Sequence, residues 1–242
     1  MSVTREHEWI LVGCGLIAHA DEIIDIGEWD AMLRLLAEVV AEDEREVWKG
    51  LLADQGAVEE RFAELSPPDP THHEAILRRC WAMALVDGGD SEIEATVYER
   101  IARALGVDDD DAARWREAWT AAALERAELV AGLAAAFANL DGHLDFNEAI
   151  HFDNLLERLP LPMGRRLELA NLLHKPPKLA PLVRVLGGYE PDERVQVLHQ
   201  LMPLVRASQR GGSEIAALLL LAEQVDVPRA TIEGLLGPRS AD

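Results

Sequence analysis

The feature that most constrains the fold of this chain is an acidic turn that recurs at regular intervals. In this turn an Asp is followed seven residues later by a Glu, as at Asp21 and Glu28, Asp87 and Glu94, and Asp141 and Glu148. Asp141 follows Asp21 by 120 residues, and the same step separates Glu94 from Glu214. Because internal repeats define architecture, we expect two similar halves, each containing two copies of a helix–acidic turn–helix motif.

Helical periodicity runs along the whole chain, and no alternating β-branched run is long enough to predict a sheet. We therefore predict an all-α protein made of two tandem helical bundles, a strongly acidic one over residues 1–120 and a diverged one over residues 121–242. Almost nothing interrupts the helical pattern around residue 120, so we expect the boundary inside a continuous or slightly kinked helix. The same periodicity places Val47 and Ile93 on inward helix faces.

Charge limits the partners that such a chain can bind. It holds 44 acidic residues against 23 Lys and Arg, a net charge of −21. Residues 1–120 contain 28 of the acidic and 11 of the basic residues, together with all six tryptophans. This balance repels nucleic acid and anionic membranes, and it favours cations or a basic protein partner. The two halves have diverged in charge and in core, which indicates different roles on one scaffold.

The acidic turns have two interpretations, of which the first is structural. A capping residue precedes a Glu by three positions at Asp25, Ser91 and Asp145, which is the pattern of a capping box at a helix start. Each such cap stabilises its helix by roughly 1 kcal/mol and needs no ligand. The fourth copy keeps Glu214 but has Ala207 in place of the upstream Asp. Capping therefore explains the glutamates and leaves the upstream aspartates unexplained.

The second interpretation is a cation site with oxygen ligands, which would favour Ca²⁺ or Mg²⁺ over Zn²⁺. The candidate ligands are Asp21, Asp25, Glu28, Asp87, Asp90, Glu94, Asp141, Asp145 and Glu148. Residues 141–148 are similar to the second half of an EF-hand loop, but Phe137 stands where that loop needs its first Asp. We therefore do not expect an EF-hand, while a looser carboxylate site stays open.

A longer pattern resembles the TerB-like tellurite-resistance family. The residues that show this resemblance are Ala-Leu-Val-Asp-Gly at residues 84–88, then Glu94, then Leu-Gly-Val at residues 105–107. The turns at Asp21 and Asp141 extend the resemblance over nearly the whole chain, as two TerB-like domains. The resemblance implies an all-helical fold, a non-enzymatic role in bacterial tellurite or other chemical stress, and an acidic surface proposed to bind metal.

The two cysteines, Cys14 and Cys80, each lie seven residues before the acidic turn of their copy. They could be neighbours in space, but two buried thiols acting as small apolar groups is the simpler interpretation. A reducing, cytoplasmic setting fits this cysteine usage. The start of the chain lacks the pattern of a signal peptide, and the longest apolar runs are too short to span a bilayer, so we expect no direct membrane insertion.

Motifs of catalysis are absent from the sequence: there is no phosphate-binding loop and no nucleophile elbow. Glu148 and His151 form a single Glu-x-x-His pair, whereas a di-iron bundle needs two such pairs. We therefore expect a non-enzymatic binding or scaffold protein of a stress system, whose acidic half binds a basic protein partner. Two alternatives stay open: a regulatory protein that binds a divalent cation at the turns, and a metal-dependent enzyme.

Overall fold

The structure is a computed structural model of the chain, and it describes residues 3–21, 24–86, 88, 91–140, 142, 144, 146–207 and 212–236. Within these ranges the regular structure consists of fourteen α-helices and two short 3-10 helices. The prediction of an all-α protein is therefore confirmed for the part of the chain that the structure describes. No helix in that part combines the length and the hydropathy needed to cross a membrane.

The chain divides into two compact units, unit 1 over residues 1–123 and unit 2 over residues 124–242. Helix α7 (Asp109–Ala138) runs through this division without a break. Each unit has its own cluster of buried apolar side chains. The first part of α7 packs against the core of unit 1, and its second part belongs to the core of unit 2.

Unit 1 contains six helices and the start of α7. The six are α1 (Arg5–Ala18), α2 (Ile26–Val39), α3 (Arg45–Leu52), α4 (Gln55–Glu64), α5 (His73–Ala84) and α6 (Glu92–Leu105), and a 3-10 helix lies at Pro70–His72. From Trp9 to Ala18 every residue of α1 is buried, as expected for a helix that is apolar on all sides. This helix is therefore the centre of the unit, and α2, α4, α5 and α6 pack around it.

Unit 2 contains the end of α7 and seven further helices. These are α8 (Phe146–Glu157), α9 (Met163–Ala170), α10 (Leu179–Leu186), α11 (Pro191–Gln200), α12 (Met202–Ala207), α13 (Gly212–Gln224) and α14 (Arg229–Leu236), with a 3-10 helix at Asn171–Leu173. The last turns of α7 are almost entirely buried, so this segment is the central helix of unit 2. Phe137 on α7 and Phe152 on α8 are the largest fully buried side chains there.

Two of the predicted inward positions are wrong, because Val47 is 74% exposed and Ile93 is 52% exposed. The buried stripe of α6 runs through Glu94 and Tyr98, and Ile93 lies about 100° around the helix from Glu94. A charged residue thus occupies the inward position that an apolar pattern assigns to its neighbour. Helix α3 has only eight residues, of which Leu52 alone is buried, and its narrow inner face leaves Val47 in solvent.

Helix boundaries recur at the step of 120 residues. Helices α2, α6 and α7 begin at residues 26, 92 and 109, and α8, α13 and α14 begin at residues 146, 212 and 229. The ends of α1 and α7, at residues 18 and 138, are separated by the same step. The helices of unit 2 therefore follow the order of those in unit 1, with α11 and α12 in place of the single helix α5.

The turns that end α6 and α13 also correspond. Gly106 has a φ of 78°, and Asp226, 120 residues later, has a φ of 56° and is the only non-glycine residue with a positive φ in the described part of the chain. In both turns the N–H of the following valine donates to the carbonyl of an alanine five residues earlier, at 2.9 Å. A hydrogen bond that spans six residues in this way is the 6→1 bond of a Schellman motif.

Candidate functional site

The two acidic turns of unit 1, which precede α2 and α6, lie side by side. A Cβ atom built on Gly27 would lie 3.3 Å from Cγ1 of Val86, so the first turn of α2 packs against the start of the turn before α6. We call residues 21–30 and 86–94 the paired turns; the structure describes residues 21, 24–30, 86, 88 and 91–94 of them.

Reciprocal hydrogen bonds close a capping box at each helix start of the paired turns. Asp25 N–H donates to Glu28 Oε2 at 2.9 Å, and Glu28 N–H donates to Asp25 Oδ1 at 2.7 Å. Ser91 N–H donates to Glu94 Oε2 at 3.0 Å, and Glu94 N–H donates to Ser91 Oγ at 3.1 Å. Two backbone N–H groups that have no partner inside the helix are therefore satisfied at each start.

The glutamates of the three acidic turns, together with Glu214 at the start of α13, occupy the third position of a helix and are buried. They are Glu28 on α2, Glu94 on α6, Glu148 on α8 and Glu214 on α13, with exposed fractions between 2% and 7%. A buried carboxylate is costly unless polar groups surround it, and the capping boxes supply such groups in unit 1. Asp145 and Gly211, the corresponding capping positions in unit 2, lie outside the described residues.

The glycine of the Asp-Gly pattern has a backbone role. Gly88 has a φ of 87° and Gly142 a φ of 77°, values in the left-handed region, where a side chain is strained. The Gly88 N–H donates to the carbonyl of Leu85 at 3.3 Å, and the Gly142 N–H donates to that of Asn139 at 3.1 Å. Each glycine therefore lets the chain leave one helix and turn towards the next.

The predicted cation ligands are only partly placed. Asp21 and Asp25 are exposed, and Glu28, Glu94 and Glu148 are buried. Asp87, Asp90, Asp141 and Asp145 lie outside the described residues. Within the described ranges, no three His, Cys, Asp or Glu side chains are grouped so that they could hold a metal ion. Binding of Ca²⁺ or Mg²⁺ at the turns stays a prediction.

Sequence reasoning missed two exposed apolar residues beside the acidic turns. Ile26 is the first residue of α2 and is 84% exposed, and Phe146 is the first residue of α8 and is 80% exposed. Their position relative to the glutamate of the repeat could have predicted this exposure. Each stands two positions before the buried glutamate at the third position of its helix, and two residues correspond to about 200° around a helix. If the glutamate faces inward, the first residue must face solvent.

The two cysteines are neighbours in the contact between α1 and α5. Cys14 and Cys80 are both buried and unoxidised. A hydrogen bond with Cys14, together with burial, raises the pKa of the Cys80 thiol well above its usual range. A Cβ atom on Gly13 would lie 2.5 Å from Cys80 Sγ, so the helices approach closely at this point. The two buried thiols therefore serve as small packing groups.

The substitution Ser91→Ala tests the capping role. It removes the side-chain oxygen that accepts from Glu94 N–H, and we expect the free energy of unfolding to fall by about 1 kcal/mol. Ser91→Asp is the matched control, because Asp is an equally good N-cap. Urea unfolding followed by tryptophan fluorescence measures both variants. Equal stability of Ser91→Ala and the wild type would contradict the capping assignment.

The fold and the site together define a class of protein: a helical unit with a fully buried central helix and two capped acidic turns held side by side. Residues 7–117 match the family model of the tellurite resistance protein TerB. Unit 1 therefore contains a TerB domain, and the match ends before unit 2 begins. No curated protein and no solved structure matches the chain.

Proposed function

We propose that this protein is a non-enzymatic binding or scaffold protein of a tellurite-resistance-type stress system, and that the acidic surface of unit 1 binds a basic protein partner. The TerB domain supports the assignment to such a system. The observation that carries the binding role is the excess of exposed acidic side chains that unit 1 leaves without basic partners.

The basic side chains of unit 1 are largely occupied by local ion pairs. Residues 1–120 contain 11 Lys and Arg, of which seven pair with acidic residues of the same unit: Lys49, Arg61, Arg79, Arg100, Arg103, Arg114 and Arg116. Arg45 folds back on α2 and donates to the carbonyls of Val40 and Ala37. The excess of negative charge in this unit is therefore available to a partner.

At the paired turns, part of this excess is exposed. Asp30 on α2 and Glu92 on α6 are exposed, and within the described part of the chain neither has an ion-pair partner within 4.0 Å. Asp25 is also exposed and keeps its carboxylate at the helix start. A field of one sign speeds association with a partner of the opposite sign and disfavours partners of the same sign. These residues therefore favour a basic partner.

We also propose that unit 2 is a second, diverged TerB-like domain. Three helix starts, one helix end and a left-handed turn recur in unit 2 at the step of 120 residues. A polar side chain at the end of the central helix makes a similar contact in each unit. His19 Nε2 lies 2.9 Å from the carbonyl oxygen of Leu52, and Asn139 Nδ2 donates to the carbonyl of Leu173 at 3.2 Å. Such correspondence supports a duplication.

Neutralising the paired turns tests the binding role. In the variant Asp25→Asn/Asp30→Asn/Glu92→Gln, we expect the full chain to bind a fluorescently labelled lysine-rich peptide about tenfold more weakly at low salt. Asn is a good N-cap, so α2 should keep its start. Fluorescence anisotropy gives the dissociation constants.

The matched control for this variant is Glu60→Gln/Glu74→Gln/Glu117→Gln. It removes three negative charges from exposed positions of unit 1 that have no ion pair in the described structure and lie outside the paired turns. We expect it to bind the peptide nearly as well as the wild type. If both triple variants weaken binding equally, the peptide senses only the net charge, and the paired turns are not the binding surface.

A further inference from the structure

We propose that each unit carries one docking surface centred on the exposed first residue of a helix, Ile26 in unit 1 and Phe146 in unit 2, so that the chain binds two basic, amphipathic protein segments. This inference rests on the proposed function and adds to it the apolar anchors, the number of sites and the character of the partner segment.

The exposure of the two anchors is the first observation. Ile26 and Phe146 are 84% and 80% exposed, more than any other large apolar side chain in the described part of the chain. They are 120 residues apart, and each is the first residue of its helix. The two most exposed apolar side chains are thus separated by the same 120 residues as the corresponding helix starts of the two units. Their exposure follows from the recurring helix starts and the inward glutamates, whereas the apolar character of both residues does not.

Local structure accounts for the exposure of the anchors but not for their apolar side chains. The first position of a helix favours proline or an acidic side chain, and Ile and Phe are only moderate helix formers. Neither side chain belongs to the buried cluster of its unit. Burial of such a side chain in a partner would recover the apolar surface that it exposes to water. Both residues therefore have the properties of interface anchors rather than of core residues.

Further apolar surface accompanies each anchor. In unit 1, Ile93 on the neighbouring paired turn is half exposed. In unit 2, Leu140, Leu144 and Ile150 are each between 37% and 41% exposed, and Ile150 follows Phe146 by four residues, on the same face of α8. Phe146 and Ile150 therefore expose two apolar side chains together, a grouping typical of protein interaction sites, whereas single exposed apolar residues are ordinary.

Charge selects the occupant of these surfaces. Exposed Asp25 and Asp30 flank Ile26 on α2, and the sequence places Asp141 and Asp145 just before Phe146. A second copy of the chain would bring acidic surfaces opposite each other, and an anionic membrane would be repelled for the same reason. A segment of a partner protein with an apolar stripe and flanking Lys or Arg complements both the anchors and the charge.

Isothermal titration calorimetry of the full chain with a synthetic amphipathic peptide tests the proposal. The peptide has leucines at helical spacing on one face and lysines on the other. We expect the wild type to bind two peptides per chain, and Ile26→Ser and Phe146→Ser to bind one each. In each variant the affected site should weaken about tenfold or more, which corresponds to the loss of one buried apolar anchor.

Val47→Ser is the matched control, because Val47 is almost as exposed but lies on α3, away from a first helix position. We expect it to bind two peptides with wild-type affinity. Circular dichroism checks that all variants keep their helices, since each change is at an exposed position. A single site in the wild type, or equal losses in Val47→Ser and the two anchor variants, would overturn the proposal.

A second peptide separates this inference from the proposed function. It keeps the lysines and replaces the leucines by serine. If both peptides bind the wild type equally well, the acidic surface binds basic segments without the apolar anchors. The proposal of docking surfaces is then wrong, and the proposed function stands. If neither peptide binds, both are wrong. We expect the leucine-containing peptide to bind about tenfold or more tightly than the serine peptide.

Discussion

Replacement of Trp81 by alanine is expected to lower the free energy of unfolding of unit 1 by about 3–5 kcal/mol. Trp81 is 1% exposed, and its Nε1–H donates to Thr120 Oγ1 at 2.8 Å. Its ring meets that of Tyr98 edge to face, with 5.2 Å between centroids, and the guanidinium of Arg116 lies 5.5 Å from its centroid. Alanine would leave a cavity and remove the hydrogen bond to Thr120, a large loss against a typical stability of about 5–15 kcal/mol.

Urea unfolding of the full chain, followed by tryptophan fluorescence, measures this loss in unit 1, because all six tryptophans lie there. The matched control is Trp48→Ala on α3, where the ring is only partly buried at the edge of the core. We expect the control to lose clearly less stability. Equal losses for the two variants would mean that Trp81 is not central to the core.

Alkaline pH is expected to destabilise unit 1 strongly. Burial raises the pKa of the Tyr98 hydroxyl, and the neighbouring Cys80 raises it further, while Arg116 opposes the shift. The hydrogen bond with Cys14, together with burial, raises the pKa of Cys80. Both groups therefore stay protonated in the folded state at a pH where the unfolded chain ionises. Their stabilisation is complete below about pH 8.5 and falls as pH rises towards the folded pKa values.

The free energy of unfolding should fall by up to about 1.4 kcal/mol per pH unit for each group. The fall should begin at about pH 8.5 for Cys80 and at about pH 10 for Tyr98. Urea midpoints from tryptophan fluorescence, measured between about pH 8 and about pH 11, give the slope. Tyr98→Phe should flatten the upper part of the curve, and Cys80→Ser the lower part. A slope that neither substitution changes would assign the alkaline loss to other groups.

The helical class could be predicted from sequence because the periodicity of the apolar residues is strong. The buried face of α1 is continuous from Trp9 to Ala18, and the capping boxes at Asp25 and Ser91 have the spacing that the backbone requires. The periodicity failed at Ile93, because the inward position at that helix start belongs to Glu94. A pattern that counts only apolar residues cannot place a buried carboxylate.

The candidate site was predicted less completely than the fold. The spacing of seven residues marked the acidic turns but did not show that the two turns of unit 1 lie side by side, since the contact of Gly27 with Val86 joins segments about sixty residues apart in the chain. The exposed anchors Ile26 and Phe146 were missed because apolar residues next to a helix start are usually assigned to the core. Tertiary packing determines both the adjacency of the two turns and the exposure of the two anchors.

For the nine predicted cation ligands, too, the sequence pattern was not sufficient to assign a role. Capping requires the glutamate and the residue three positions before it, whereas a cation site would also use the Asp seven positions before it, so the presence of the glutamates alone does not distinguish the two. The capping boxes account for Glu28 and Glu94 through four backbone–side-chain hydrogen bonds. The binding of a cation by the turns depends on aspartates such as Asp87 and Asp141, which lie outside the described residues.

Hydrogen–deuterium exchange of the full chain, with and without the leucine–lysine peptide, tests most directly whether the acidic face of unit 1 binds a basic partner. Peptide binding should slow amide exchange at the paired turns, at the starts of α2 and α6, and should leave α3 and α4 unchanged. The Asp25→Asn/Asp30→Asn/Glu92→Gln variant should lose this protection. Protection that spreads evenly over unit 1, or that persists unchanged in the neutralised variant, would contradict the proposed function.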